Sequence, residues 1–220
     1  MSFRSSCPPG ILALTLSSLA LACGAATSPE PPLAAPVPPT SPAELRSPAS
    51  FAAIADPSER SRALFTEASR VLLHPRCVNC HPSDDSPRQR EAREPHSPPV
   101  LRGADDKGIP GLRCDSCHQD RNLELARVPG APEWHLAPKA MAWMDRTPAA
   151  ICAQVKDRAR NGGRSLAQIV DHSAHDKLIA WGWSPGSGRA TAPGSQALFG
   201  ELMAAWVETG AACPREEASR

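Results

Sequence analysis

Residues 74–81 read HPRCVNCH and residues 114–118 read CDSCH. Both stretches contain two cysteines separated by two residues and followed at once by a histidine. The two copies contribute six residues to this pattern: Cys77, Cys80, His81, Cys114, Cys117 and His118. What these residues bind decides how the rest of the chain can fold.

Three kinds of site use paired cysteines at this spacing. A structural zinc site could use all four thiolates, because C-x2-C…C-x2-C is a zinc pattern, although the gap between the pairs is long. A redox-active disulfide within each pair is a second possibility. The third is covalent attachment of c-type haem, in which two thiols add to the haem vinyl groups and the following histidine becomes an axial iron ligand.

The histidines favour haem. Neither a zinc site nor a redox disulfide needs a histidine directly after the second cysteine. The chain has 7 His in 220 residues, so chance would put one there about once in thirty for each motif. The pattern therefore predicts two covalent haem c groups, with His81 and His118 as the proximal iron ligands.

Each iron also needs a sixth ligand, and His96 and His172 are the preferred candidates. His96 lies in the proline-rich stretch EPHSPPV, which is expected to be extended. His172 is expected on the apolar face of a helix, between Ile169 and Ile179. The other candidates are His74, His135, His175, Met141, Met144 and Met203, of which the three methionines fit better as core residues.

The N-terminus has the form of a secretory signal. Arg4 precedes an apolar run from Ile11 to Leu21, which is too short to span a bilayer as a mature helix. Residues 1–22 are therefore predicted to be a signal peptide. Cleavage could follow the A-x-A pattern that ends at Ala22, or Cys23 could become the lipidated first residue of a lipoprotein.

The cysteine count favours the lipoprotein. Of 8 Cys, Cys7 leaves with the signal peptide and four belong to the motifs. Cys152 and Cys213 are expected to form a disulfide in an oxidising compartment. Lipidation then accounts for the odd Cys23. Residues 23–55, rich in proline, alanine and serine, are predicted to be a disordered tether to the membrane.

Residues 56–220 are long enough for one domain, and it is predicted to be mostly α. Helix starts are placed at Asp56, Thr147, Ser165 and Ser195. The helix after Thr147 is expected to stop at Asn161-Gly162-Gly163. The helix after Ser165 is expected to run towards Leu178, with a solvated face at Asp171, Asp176 and Lys177. The long stretches 82–113 and 119–146 lack periodicity, and a compact domain with such loops needs another scaffold. We expect a small helical cytochrome c-like domain whose long loops wrap around two covalent haems. A formal net charge of +1 gives no reason to expect a nucleic-acid partner.

Several stretches resemble dihaem c-type cytochromes, and in particular bacterial cytochrome-like proteins labelled as a subunit of isoquinoline 1-oxidoreductase. They are HPRCVNCHP, VLRG, GLRCDSCHQD, VPGAPEWHLAPKAMAW and WGWSPGSGR. The resemblance implies an electron acceptor for an exported molybdenum hydroxylase. This chain is too short to be that hydroxylase and carries no recognisable molybdopterin or iron–sulfur motif.

The expected function is therefore periplasmic electron transfer rather than catalysis, with electrons passing from an exported oxidoreductase to the respiratory chain. Two alternatives stay open. A dihaem enzyme, such as a peroxidase, would need one open iron with an acid–base group beside it. A haem-based gas sensor would also keep one iron open.

Overall fold

The computed structural model describes residues 44–216, and its longer helices begin at the capping residues that the sequence predicts. The Asp56 carboxylate accepts from the Glu59 N–H at 2.7 Å. The side chains of Thr147, Ser165 and Ser195 cap their helices in the same way. In this range the α-helices are α1 (Pro57–Leu72), α2 (Pro75–Val78), α3 (Pro148–Lys156), α4 (Leu166–His175), α5 (Lys177–Ala180) and α6 (Gln196–Glu208).

Extended structure is scarce in the described residues. It consists of two antiparallel hairpins of two-residue strands, and short 3-10 turns join the other elements. The strands are β1 (Arg88–Gln89), paired with β2 (Glu94–Pro95), and β3 (Gly108–Ile109), paired with β4 (Leu112–Arg113). The 3-10 turns are Pro48–Phe51, Cys114–Ser116, Lys139–Met141 and Trp181–Trp183. The prediction of a mostly α fold is confirmed.

The core is built on α6, which packs against both α1 and α4. Trp206 of α6 lies against Phe65 of α1, with ring centroids 4.9 Å apart. On the other side, a Cβ added to Gly200 would lie 2.6 Å from the Ala174 Cβ. Only glycine allows α4 to approach α6 this closely, so this contact sets the position of α4.

A disulfide joins α3 to the segment after α6. Cys152, fully buried in the core, is bonded to Cys213, and their Cα atoms lie 5.5 Å apart. This confirms the pairing that the cysteine count predicts. Ser61 of α1 holds the same segment, because its hydroxyl donates to Trp206 O at 3.0 Å and accepts from Ala212 N at 2.9 Å.

Two helices end earlier than the sequence predicts. The helix that starts after Ser165 was expected to run towards Leu178, but α4 ends at His175. Asp176 interrupts it, because its carboxylate accepts from Leu178 N and Ile179 N and thereby caps a new helix, α5. The Asp176 side chain is therefore a cap, and not part of a solvated helix face. The helix after Thr147 ends at Lys156, before the glycines expected to stop it.

The folded region also begins earlier than residue 56. Leu45 is 7% exposed and Phe51 is 2% exposed, and both pack into the core. Arg46 donates to both carboxylate oxygens of the buried Glu67, from its backbone N–H at 3.1 Å and from Nε at 2.9 Å. The predicted tether boundary at residue 55 is therefore wrong for 44–55, because Glu67 gives this segment a buried partner. The predicted signal peptide, Cys23 and the rest of the tether lie outside the described residues.

Arginine contacts tie the two long loops to each other. Arg102, buried in the first loop, donates to Asp106 Oδ1 at 2.6 Å and to Ala137 O in the second loop. Backbone contacts add to this, since Leu136 N donates to Asp106 O at 2.9 Å. These contacts hold the two loops together. None of the helices in residues 44–216 is long and apolar enough to cross a membrane.

Candidate haem-attachment sites

Both motifs fold into a single helical turn with the same hydrogen bonds. In the first, Cys77 O accepts from Cys80 N at 3.0 Å and from His81 N at 3.2 Å. In the second, Cys114 O accepts from Cys117 N at 3.2 Å and from His118 N at 2.9 Å. Residues four apart lie on the same face of a helical turn, so each turn brings its first cysteine and its histidine to one side.

The ring of His81 is held by the loop that follows the second motif. Its Nδ1 donates to Met141 O at 2.7 Å, and its ring is stacked on Trp143 with centroids 3.4 Å apart and planes 7° from parallel. The Nδ1 proton fixes the tautomer that leaves the Nε2 lone pair free for a metal. Burial lowers the pKa of His81 to about 3, which keeps the imidazole neutral, as an iron ligand must be.

His118 repeats this arrangement. Its Nδ1 donates to Pro129 O at 2.7 Å, and its ring is stacked on Trp134 at a centroid distance of 4.6 Å, with planes 9° from parallel. Burial again lowers the pKa of the imidazole. A backbone carbonyl on Nδ1 is the usual outer partner of a metal-bound histidine, where it fixes the ring and raises its basicity.

Asn122 holds the carbonyl that contacts His118. Its Oδ1 accepts from Gly130 N at 3.0 Å and from Trp181 Nε1 at 2.9 Å. A Cβ added to Gly130 would overlap the carbonyl oxygens of the preceding loop, so only glycine fits there. Asn122 and Gly130 thus fix the peptide that presents Pro129 O.

Two observations bear on the zinc and redox alternatives. Among residues 44–216, no group of three or more His, Cys, Asp or Glu is arranged to hold a metal ion, so a four-cysteine zinc site is not assembled. Haem iron needs only two protein ligands. Burial raises the pKa of the Cys77 thiol to about 12 and that of Cys80 to about 11. A redox-active thiol has its pKa lowered instead.

His96 lies near His118. The ring centroids are 6.0 Å apart, with planes at 65°. Two imidazoles bound on opposite sides of one metal, with metal–nitrogen bonds of about 2 Å, have centroids about 6 Å apart. The His96 Nδ1 donates to Pro98 O at 2.8 Å, which leaves its Nε2 free. The expected extended conformation is found at Glu94–Pro95, which forms β2, and His96 N donates to Pro87 O at 3.1 Å beside it.

His172 has a more polar setting than the sequence predicts. It was expected on an apolar face, but its side chain is 34% exposed and its Nδ1 lies 3.1 Å from Asp176 Oδ2. The hydrogen bond from His172 outweighs partial burial and lowers the pKa of Asp176 to about 2. The two residues line a cavity of about 330 Å³ together with Arg164, Gln168, Asp171 and His175. Burial is the main cause of the low pKa of His81, and the charges of His172 and His135 lower it further.

The remaining candidates differ in what their ring nitrogens do. His74 caps α2, and its Nδ1 accepts from Arg76 N at 3.2 Å, which puts the proton on Nε2 and argues against iron ligation. The His135 Nδ1 donates to Glu133 O, and the largely exposed His175 pairs with Asp171. The side chains of Met141 and Met203 belong to the core, whereas Met144 is partly buried.

Sequence reasoning missed the residues that act through the backbone. The sequence suggests the Met141 thioether as a ligand, yet it is the Met141 carbonyl that contacts His81. Pro129, Gly130 and Asn122 were not singled out, although a Pro-Gly pair signals a tight turn that exposes a carbonyl.

Comparisons with protein-family models, with curated proteins and with solved structures found no match to this chain.

Proposed function

We propose that this chain is a periplasmic electron-transfer protein that carries two covalently bound c-type haems. The observation that supports this most strongly is the repeated geometry of the motifs. Each is a helical turn in which the histidine Nδ1 donates to a distant backbone carbonyl, at 2.7 Å in both cases. A chance repeat of the CxxCH sequence would not place a backbone carbonyl on the histidine Nδ1 and a tryptophan against the histidine ring in both motifs.

In this proposal each motif has separate roles for its residues. The thiols of Cys77 and Cys80, and of Cys114 and Cys117, attach haem, and His81 and His118 are the proximal iron ligands. Haem supplies an iron that accepts and releases one electron. Met141 O and Pro129 O hold the imidazole rings and increase their basicity, which stabilises the oxidised iron. Trp143 and Trp134 keep the ring planes from rotating.

Electron transfer is favoured over catalysis by the supply of imidazoles with a free Nε2. His96 lies 6.0 Å from His118 between ring centroids, a spacing suited to two ligands on one iron. His172 is the proposed distal ligand of the first haem, with His135 as the next candidate. An iron with two protein ligands can pass an electron but has no position for peroxide or a gas.

The proposed partners follow from the resemblance to dihaem cytochromes of the isoquinoline 1-oxidoreductase type. Electrons would come from an exported oxidoreductase, such as a molybdenum hydroxylase, and go to the respiratory chain. A lipid on Cys23 would keep the domain at the membrane. Replacing Cys23 with Ser should then release the haem domain from the membrane fraction without changing its absorption spectrum, while an already soluble wild type would contradict the anchor.

The test of haem attachment is the intact mass of protein extracted with acid–acetone. Wild type should exceed the apoprotein by two haem units, and a Cys114→Ala/Cys117→Ala variant by one. As a control, Cys213→Ala should retain both haems. Stoichiometric zinc with no covalent haem would contradict the proposal.

Low-temperature EPR with near-infrared spectra of the oxidised protein tests the closed coordination. Both irons should be low-spin and six-coordinate. High-spin iron in the wild type, together with turnover of peroxide, would favour the enzyme, and high-spin iron that binds a gas would favour the sensor.

A further inference from the structure

A run of backbone hydrogen bonds leads away from the first motif through both long loops. Cys80 O, in the first motif, accepts from Ala137 N of the second loop at 3.1 Å. The neighbouring residue, Leu136, donates from its N–H to Asp106 O of the first loop at 2.9 Å. The first motif is therefore held to the first loop by way of the second.

The same run continues to the second motif. Lys107 directly follows Asp106, and its carbonyl accepts from Cys114 N at 2.9 Å. Cys80 is the second cysteine of the first motif, and Cys114 is the first cysteine of the second. Three hydrogen bonds and two short pieces of backbone thus join a cysteine of one motif to a cysteine of the other.

Arg102 braces this run from the side. Its side chain is 6% exposed, and its Nη1 donates to Asp106 Oδ1 at 2.6 Å and to Ala137 O. Asp106 and Ala137 are both members of the run, on opposite sides of its middle hydrogen bond. The Arg102 backbone is attached as well, because its carbonyl accepts from Gly108 N at 2.8 Å.

The brace is strong because the guanidinium is buried and charged. A charge-assisted hydrogen bond is roughly twice as strong as a neutral one, and removing its donor leaves the acceptors unpaired. The residue after Arg102 also has to be glycine. A Cβ added to Gly103 would lie 2.2 Å from Gly108 O, so only glycine lets the chain approach this closely.

The covalent chain between the motifs does not fix their separation by itself. In the described stretch 82–113, regular structure is limited to two hairpins of two-residue strands. A long loop of this kind needs contacts elsewhere to hold one conformation. The run of hydrogen bonds and its arginine brace supply such contacts.

We propose that Arg102 is a positioning residue for electron transfer between the two haems, because it fixes the run that sets the second motif against the first. This inference rests on the proposed function, in which Cys80 and Cys114 each carry a thioether. In the step concerned, one electron leaves the ferrous iron at one motif and reduces the ferric iron at the other. No bond forms or breaks and no proton moves. Electron tunnelling slows steeply with distance, so loosening the run slows this step.

Hydrogen exchange of the holoprotein, followed by NMR, tests the brace. In Arg102→Gln the amides of Leu136, Ala137 and Cys114 should exchange at least about tenfold faster, since a charge-assisted hydrogen bond contributes a free energy of that order. This acceleration should exceed any change in α6.

The matched control is Arg88→Gln. Arg88 also lies in the first loop and is largely buried, but it pairs with Asp84 of the same loop. This variant should leave exchange along the run unchanged.

The coupling is measured on the same samples. Circular dichroism in the Soret region reports the relative orientation of the haems, and pulse radiolysis gives the rate of transfer between them. Arg102→Gln should change the Soret spectrum and slow the transfer at unchanged haem content. Arg102→Lys keeps the positive charge, but its ammonium stops one bond short of the Nη1 position. It should therefore keep the midpoint potentials of wild type and still slow the transfer.

The contrary results are distinct. Faster exchange along the run with an unchanged Soret spectrum and rate would overturn the inference, and so would a uniform acceleration that includes α6. Full recovery of the rate in Arg102→Lys would show an effect of charge rather than position, which also overturns it.

If Arg102→Gln does not fold, Asp106→Asn decides. Asp106 has a φ of 61°, which asparagine tolerates, so this change removes only the charge that pairs with Arg102. It should accelerate exchange at Leu136 and slow the transfer, and no change would overturn the brace. Absence of covalent haem from the wild type would instead contradict the proposed function, while the exchange result would still report on the brace.

Discussion

The disulfide between Cys152 and Cys213 should contribute a large part of the stability of the domain. The perturbation is Cys213→Ala, which removes the cross-link but leaves the fully buried Cys152 in place, so that the packing of the core changes little. The bond spans 61 positions. Loop-closure entropy for such a span corresponds to about 4 kcal/mol at 25 °C.

This loss can be converted into a melting temperature. For a domain of this size each kcal/mol is worth about 2–4 °C, so the variant should melt roughly 8–16 °C below wild type. The assay is thermal and urea unfolding followed by far-UV circular dichroism, with the haem absorption recorded in parallel. Wild type treated with a mild reductant should match the variant, since it has lost the same bond.

Hydrogen exchange locates the effect. Ala212 N donates to the Ser61 hydroxyl, and Trp206 Nε1 donates to Ala212 O at 3.0 Å, so these contacts persist without the disulfide. Exchange at Ala212 should accelerate before exchange in α1 does. If Cys213→Ala lowers the free energy of unfolding by less than about 1 kcal/mol, the entropy reasoning is refuted. The Ser61 and Trp206 contacts would then confine the segment in the unfolded chain as well as in the folded one.

Three further changes test the site and the N-terminal segment. His96→Ala should give high-spin iron and one new carbon monoxide site per protein, while His74→Ala, which removes only a cap, should leave the spectrum unchanged. Gly130→Ala should push its peptide away, weaken the hydrogen bond to His118 Nδ1 and make the midpoint potential of that haem more positive in a redox titration. Burial opposes ionisation of Glu67, but hydrogen bonds from two arginines outweigh it and hold its pKa below the usual 4.5. Its contribution, about 1–2 kcal/mol, should therefore be present above pH 4.5, be lost on acidification through the lower folded-state pKa, and be absent in Glu67→Gln at every pH in urea titrations.

Local features of this protein could be read from the sequence because neighbouring residues create them. Asp56, Ser165 and Ser195 cap helices within three positions of themselves, so spacing alone reveals the helix starts. The helical turn of CxxCH is equally local. The pairing of Cys152 with Cys213 is not local, but it follows from counting, since the other cysteines already have a role.

Other features depend on residues that are distant in the chain. The carbonyl on His81 comes from Met141, 60 positions away, and the buried partner of Arg46 is 21 positions away. No periodicity in the sequence marks a backbone oxygen or a single ion pair, so the tertiary structure alone decided them.

The same holds for the distal histidines and for the end of α4. His96 lies near His118 because the β1–β2 hairpin turns the chain back, and α4 ends at His175 because Asp176 caps α5. A single carboxylate can prolong a helix or end it, and the neighbours that decide the outcome are assembled only on folding. The sequence by itself determined which groups could bind iron and which backbone turn presents them. The packing of the loops decided how these groups are oriented, because orientation depends on long-range contacts whose partners the local sequence does not specify.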